Sequence, residues 1–185
     1  NADSALLSNT SLSVVVTEGE FKTLALWRAA TYNTEPGQPR FLPVGLSGVW
    51  NWRGTVGKEQ DADGMRVDVK GAIPDLNLID WRGRLVVVAF DSDASKKPLV
   101  RKARSMLSDE LRRRGARVAW LEWEGPKGID DWLAAVGPDV VLQQIANASE
   151  QIASVPAGFE LTEVGLFRIV PKEKRPGEES QPDSY

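Results

Sequence analysis

The sequence predicts an α/β fold, a mainly parallel sheet with helices packed on its faces, and three observations predict it. Short aliphatic or β-branched runs alternate with longer segments of helical periodicity, the pattern of strand–helix–strand units. The run Leu85-Val86-Val87-Val88-Ala89-Phe90 is apolar throughout, as a strand at the centre of a parallel sheet is when buried on both faces. Acidic residues, Glu18, Asp91 and Asp93 among them, stand directly after such runs, where loops leave the carboxyl edge of a parallel sheet.

Residues 12–17 read as the first strand, because Val14, Val15 and Val16 are consecutive and β-branched. Glu18-Gly19-Glu20 makes an abrupt turn, after which Phe21, Leu24, Ala25 and Trp27 recur at helical spacing and predict a helix over residues 21–30. A second strand is expected at residues 41–44, ending in Gly45-Leu46-Ser47-Gly48. Residues 49–80 are mixed in charge and carry Gly54, Gly57, Gly64, Gly71 and Pro74. They read as an irregular insertion with a hairpin around residues 65–69.

After the strand at residues 85–90, Leu99, Ala103, Met106, Leu107 and Leu111 define one side of an amphipathic helix over residues 97–114, which Gly115 stops. A strand at 118–121, a loop at 122–127 and helices at 130–135 and 139–148 complete a β-α-β-β-α-β-α order. Beyond Pro156 the pattern decays. Residues 159–170 are expected to form a strand pair of a following domain, and residues 171–185, with three prolines and no aliphatic residue, a disordered tail. The expected organisation is one domain over residues 1–155, its insertion at about 49–80, and a linker or tail over 156–185 leading to a further domain.

With 185 residues and 42% hydrophobic content the chain can bury one ordinary core. It opens on Asn1 without the basic flank and apolar run of a secretory signal, so a segment cut from a longer polypeptide is expected. Its longest apolar run falls far short of the ~20 residues that cross a bilayer, which predicts a soluble, cytoplasmic protein with no membrane partner. Neither cysteine nor histidine is present, excluding disulfides, thiol nucleophiles, zinc ribbons and imidazole bases. Any metal must be held by oxygen, which points to Mg2+ or Mn2+. A net charge of −3 argues against gripping nucleic acid by bulk electrostatics, so contact with DNA or RNA would be local, metal-assisted or shared with other domains.

Three acidic clusters follow strands: Glu18, then Asp91 with Asp93, then Asp130 with Asp131. Carboxylates gathered at one edge repel unless a cation compensates them. In extended backbone residues two apart point the same way, so Asp91 and Asp93 would face one ion. Other readings stand beside this one. Asp-x-Asp also occurs in receiver domains, haloacid-dehalogenase-type phosphatases and helix caps; Glu18 has Lys22 one helical turn away as a surface partner; Asp130 and Asp131 could cap a helix. Lys96, Lys97, Arg101, Lys102, Arg104, Arg112, Arg113 and Arg114 form a basic helix that would either follow a phosphate backbone or serve as a solvated face. Trp50, Trp52 and Arg53 suggest a stacking platform for bases or, equally, packing of the insertion on the sheet.

Thr17-Glu18-Gly19-Glu20-Phe21-Lys22, Phe90-Asp91-Ser92-Asp93 and Lys127-Gly128-Ile129-Asp130-Asp131-Trp132-Leu133 together resemble the three signature segments of Toprim domains, which primases, topoisomerases and some nucleases share. The resemblance is closest to the primase-associated Toprim-like domains in replication proteins of phages, plasmids and integrated elements. It spans about residues 13–142, and Gly48-Val49-Trp50-Asn51-Trp52 fits it too. It implies a Toprim, Rossmann-like sheet, with Glu18 as acid or base or as an aid to metal holding, Asp91 and Asp93 as the metal-binding pair, Asp130 as a further ligand and Asp131 as a companion. Lys22 and Lys127 fall in the same segments as further candidates. Lys127-Gly128-Ile129 stands where primases often carry a Lys-Asp pair, which leaves the third ligand open.

The implied activity is metal-dependent nucleotidyl or phosphoryl transfer on DNA or RNA with nucleoside triphosphates, in a mobile-element primase or primase-helicase. A helicase or other replication domain in the same polypeptide is the implied partner. A Toprim nuclease and a non-catalytic docking module are the alternatives; topoisomerase chemistry needs a tyrosine, and neither Tyr32 nor Tyr185 stands in a suitable setting. Catalysis requires the carboxylates to converge, with no cationic side chain fixed permanently in their midst.

Overall fold

The computed structural model describes residues 4–153, 159–162 and 165–168. Its first compact unit, Asn1–Ala153, is an α/β domain. Strands β1 (Val14–Glu18), β2 (Leu42–Leu46), β5 (Leu85–Ala89) and β6 (Arg117–Trp120) form a parallel sheet in the order β2-β1-β5-β6. The helices are α1 (Ser4–Ser8), α2 (Glu20–Ala30), α3 (Pro98–Arg113), α4 (Ile129–Val136) and α5 (Pro138–Ala153). Strands β3 (Arg53–Gln60) and β4 (Arg66–Ala72) form a separate antiparallel pair.

Alternation along the strands explains why both faces need apolar side chains. Val14, Val16, Val86 and Val88 enter one core with Leu107 and Leu111 of α3. Val15, Val87 and Ala89 enter the other with Leu26 of α2, Trp132 of α4 and Val141 and Ile145 of α5. The strand order also fixes the crevice. Strand β1 leads through α2 to β2 on one side, whereas β5 leads through α3 to β6 on the other, so the chain departs in opposite directions from the carboxyl ends of β1 and β5. There the Thr17 hydroxyl donates to the Ala89 carbonyl at 2.9 Å, tying the two strands together one residue before Glu18.

Residues 49–80 are more regular than expected. Strands β3 and β4 run on either side of a turn in which the Asp61 carboxylate accepts from the Asp63 and Met65 amides, so residues 65–69 are one arm of the hairpin rather than its tip. Trp52, Leu76, Ile79 and Trp81, on either side of the hairpin, anchor the insertion in the first core. Helix α2 forms where expected but with the opposite face inward. Leu26, Ala29 and Ala30 are buried, while Phe21, Leu24 and Trp27 are 81%, 64% and 40% exposed. Helix α3 buries Ala103, Leu107 and Leu111 as expected, leaves Leu99 exposed, and starts on Pro98, whose missing amide costs nothing at a first helical position. Gly115, at φ +91°, ends that helix in the left-handed region that favours glycine.

Helix α1 was not expected from the sequence. Arg84, fully buried, holds its segment in place, donating to the carbonyls of Leu6, Leu7 and Leu12 at 2.7–2.8 Å. Among the described residues no helix is long and apolar enough to cross a membrane. The second compact unit, Ser154–Tyr185, contains the antiparallel pair β7 (Phe159–Thr162) and β8 (Gly165–Arg168), where a strand pair was expected. The tail expected over residues 171–185 lies outside the described residues.

Candidate functional site

The three acidic segments reach the same rim by different local routes. Glu18 is the last residue of β1, half-buried, and Gly19 turns the chain away with φ +93° while its amide donates to Leu46 O at 2.7 Å. Such a φ suits only a residue without Cβ, so this glycine allows α2 to begin two residues after the strand ends. Asp91 follows β5, and the amide of the next residue, Ser92, donates to Lys127 O at 3.0 Å, which ties the second segment to the third. The third is held by Trp123, which stacks on Trp132 at 5.2 Å between ring centroids and donates from Nε1 to Pro126 O at 2.8 Å.

The extended backbone that would point Asp91 and Asp93 the same way is absent. Ala94 N donates to Asp91 O at 2.8 Å, Asp93 has φ −92° and ψ 8°, and a single 3-10 turn runs over Ala94–Lys96. The two carboxylates accordingly have different partners. Asp91 accepts from the Lys22 ammonium through Oδ1 and from Lys127 through Oδ2 at 3.3 Å. Asp93 accepts from Lys97 through Oδ2 at 2.7 Å, and its Oδ1 is buried without a hydrogen-bond partner. Lys22 therefore pairs with Asp91 across the sheet rim and not with Glu18 on its own helix.

Asp130 and Asp131 lie in the first turn of α4, where their charge suits the helix dipole. Neither caps it: the cap residue is Gly128, with no side-chain cap bond. Asp131 is exposed, whereas Asp130 turns back over Gly128 and leaves Oδ1 buried without a partner. A Cβ on Gly128 would stand 2.3 Å from that oxygen and 3.2 Å from Lys22 Cε, so the absent side chain makes room for both. Glu18 is felt electrostatically by Lys127, whose ammonium is held above its ordinary pKa by the hydrogen bond and charge of Asp91, then by Asp93, with a smaller contribution from Glu18. Asp93 is held below the ordinary carboxylate range by its bond to Lys97, against the effect of burial.

The oxygen donors at the rim are of the kind that hard divalent cations take, and two of them are buried and unpartnered. Both Asp91 oxygens carry ammonium groups, however, and among the described residues no three carboxylates are gathered closely enough to hold a metal as they stand. Lys127, with 62% of its side chain exposed, sits at the open edge of the rim, whereas Lys22, at 21%, is largely covered where it pairs with Asp91.

The other candidates separate from this rim or have their charge paired by a carboxylate. Arg104 is buried, stacks over Trp120 at 4.0 Å and pairs with Glu122. Arg112 pairs with Asp109, and Arg113 and Arg114 with Glu110. Of the expected basic stripe, Lys96, Arg101 and Lys102 remain exposed beside the paired Lys97. Trp52 is only 5% exposed, with Arg53 5.6 Å over its ring, so it packs in the core and offers no open face for stacking a base.

Sequence reasoning missed the pairing of Lys22 with Asp91 and the role of Gly128; a glycine directly before an acidic first turn was the available signal for the latter. No curated protein and no solved structure is similar enough to this chain to match it. Residues 4–140 match the family described as Domain of unknown function (DUF3854), and the chain belongs to that family.

Proposed function

We propose that the rim at the carboxyl ends of β1 and β5 is a metal-dependent phosphoryl-transfer site, and that the chain serves as the Toprim-type nucleotidyl-transfer module of a mobile-element DNA primase or primase-helicase. One observation carries the reading. Acidic segments far apart in the chain meet at the switch point of a parallel sheet, and two of their carboxylates, Asp93 and Asp130, each keep a buried oxygen with no partner. Buried polar atoms are nearly always satisfied, so each such oxygen calls for a cation, a proton or water.

In this reading Asp91, Asp93 and Asp130 would hold Mg2+ or Mn2+, which would supply electrostatic stabilisation of the charge that develops on the transferred phosphate. Glu18, at the end of β1, takes the proton from the attacking hydroxyl oxygen or helps hold the metal. Lys22 and Lys127 are the cations nearest any phosphate brought to Asp91. Nucleoside triphosphates and a DNA or RNA end are the substrates, and a helicase in the same polypeptide would be the partner.

A second reading has its own observation. The ammonium groups on both Asp91 oxygens already compensate that carboxylate, as expected of a rim that docks a replication partner without catalysis. Calorimetric titration with Mn2+ separates the two. Binding to the wild type that Asp91→Asn/Asp93→Asn abolishes supports the metal site, whereas a wild type that binds no Mn2+ leaves the docking module. Metal binding accompanied by DNA cleavage and no primer synthesis would assign the chain to the nucleases.

A further inference from the structure

We infer that helix α2 and the free edge of β2 form a self-complementary surface on which a second copy of this chain docks by a two-fold rotation. The inference is independent of the metal-dependent reading above, since neither the helix face nor the strand edge includes a carboxylate assigned to the metal.

Helix α2 is apolar on two sides. Leu26, Ala29 and Ala30 enter the core, while Phe21, Leu24 and Trp27 form a second stripe that meets solvent. Residues three and four apart share a helix face, so Glu20, Phe21, Leu24, Trp27 and Arg28 are neighbours there, and all are exposed. An apolar stripe held out to solvent marks an interaction surface.

The order of residues along the stripe selects the occupant. Glu20 and Arg28 stand at equal distances on either side of Leu24, and so do Phe21 and Trp27. Two α2 helices packed antiparallel about Leu24 therefore set leucine on leucine, each Phe21 against the Trp27 of the other copy, and each Glu20 against the Arg28 of the other copy. Neither Glu20 nor Arg28 has an ion-pair partner among the described residues, so both charges are available for this pairing. An isologous dimer requires one patch that complements itself in this way.

The strand beneath repeats the symmetry. β2 is the edge of the parallel sheet and carries no charged residue to blunt it. Its Leu42 amide donates to Ser13 O and its Leu46 carbonyl accepts from Gly19 N, so the intervening Gly45 presents its N–H and C=O away from β1. Pro43 presents only a carbonyl there, and a two-fold pairing centred on it would make no bond. Centred on Gly45, the pairing lets the two glycines exchange N–H···O bonds, as in a hydrogen-bonded antiparallel pair. Thr23 packs directly over Gly45, where a Cβ would collide with its hydroxyl, which brings Leu24 level with Gly45 on one axis. Glu20 and Leu24 share a cleft of about 390 Å3 with Gly45 and Ser47, so helix face and strand edge are one continuous surface. One short helix and one short strand edge make a small interface, which fits a concentration-dependent dimer and not an obligate one.

The test is sedimentation equilibrium of the whole chain up to about 1 mM, which captures dissociation constants of that order. The wild type should pass reversibly from monomer to dimer. Leu24→Asp sets like charges on the axis and should raise the dissociation constant by more than about tenfold. Glu20→Arg and Arg28→Glu should each weaken the dimer, and both changes in one chain should restore it, because every reversed charge again faces its opposite. The chain has no cysteine, so Leu24→Cys supplies a unique thiol. A short bis-maleimide should join two copies through it, but not through Leu99→Cys, exposed on α3 at the opposite face of the sheet. Circular dichroism melts establish that each variant is folded, and every substituted position is an exposed one. A wild type that stays monomeric at about 1 mM would overturn the dimer and leave the face to a different protein. A dimer indifferent to Leu24→Asp, or a double reversal that fails to restore association, would put the interface elsewhere and overturn the inference equally.

Discussion

Replacing Arg84 with methionine should destabilise the domain by about 3–5 kcal/mol, the range for removing one partner from a buried charged network. The guanidinium is fully buried and donates to Leu6, Leu7 and Leu12 carbonyls at 2.7–2.8 Å and to Asp80 O at 3.4 Å. Each short bond from a charged donor contributes about 1.5–3 kcal/mol, so the three together, at about 4.5–9 kcal/mol, reach or exceed the predicted loss. The difference is the cost of burying the cation, which methionine relieves; the same burial pulls the Arg84 pKa down, with Asp80 opposing it. At about 2–4 °C per kcal/mol for a domain of this size, the melting temperature should fall by roughly 6–20 °C. Thermal melting by circular dichroism measures the total, and amide exchange over residues 4–12 localises it, since the acceptors lie there. A shift under about 2 °C, or unchanged exchange in that segment, would refute the assignment of Arg84 as the tie between the amino-terminal segment and the sheet.

Gly128→Ala should change stability by less than about 1 kcal/mol, because φ −84° and ψ 148° suit alanine and the obstructing atoms belong to side chains. The new methyl must nonetheless push Asp130 Oδ1 aside, so Mn2+ affinity should drop several-fold; denaturation and titration of the same sample check both statements. Burial alone would raise the Glu110 pKa, but its bonds to Arg113 and Arg114 outweigh burial and hold it low. A depressed folded pKa contributes stability above the unfolded value of about 4.3 and loses it as pH falls through the folded one. Glu110→Gln should therefore cost about 1 kcal/mol at neutral pH, with the gap closing below about pH 4 in urea unfolding.

The strands and helices of the parallel sheet were legible because burial on both faces writes itself as unbroken apolar runs, as in Val14-Val15-Val16 and residues 85–90. The inward face of α2 was not. Phe21, Leu24, Ala25 and Trp27 share one helical spacing and Lys22, Leu26, Ala29 and Ala30 another, and only packing against β2, α4 and α5 chooses between them. The β3–β4 hairpin was legible only in part, around residues 65–69, because most of its residues are solvent-exposed, which erases the alternation that marks a half-buried strand.

At the rim, the acidic residues were legible from their position after strands, but their partners were not. The Lys22–Asp91 pair joins residues 69 positions apart, and the divergence of Asp91 from Asp93 depends on a turn where the sequence suggested extended chain. Burial of Arg84 and Arg104 was equally invisible, since each is compensated by groups distant in sequence.

The most direct measurement on the proposed site is the anomalous scattering of Mn2+ diffused into crystals of the wild-type chain together with adenosine monophosphate. Metal-dependent phosphoryl transfer predicts a peak at about 2.0–2.3 Å from oxygens of Asp91 and Asp93. Crystals that show no peak at the rim, with both lysines still on Asp91, would contradict it.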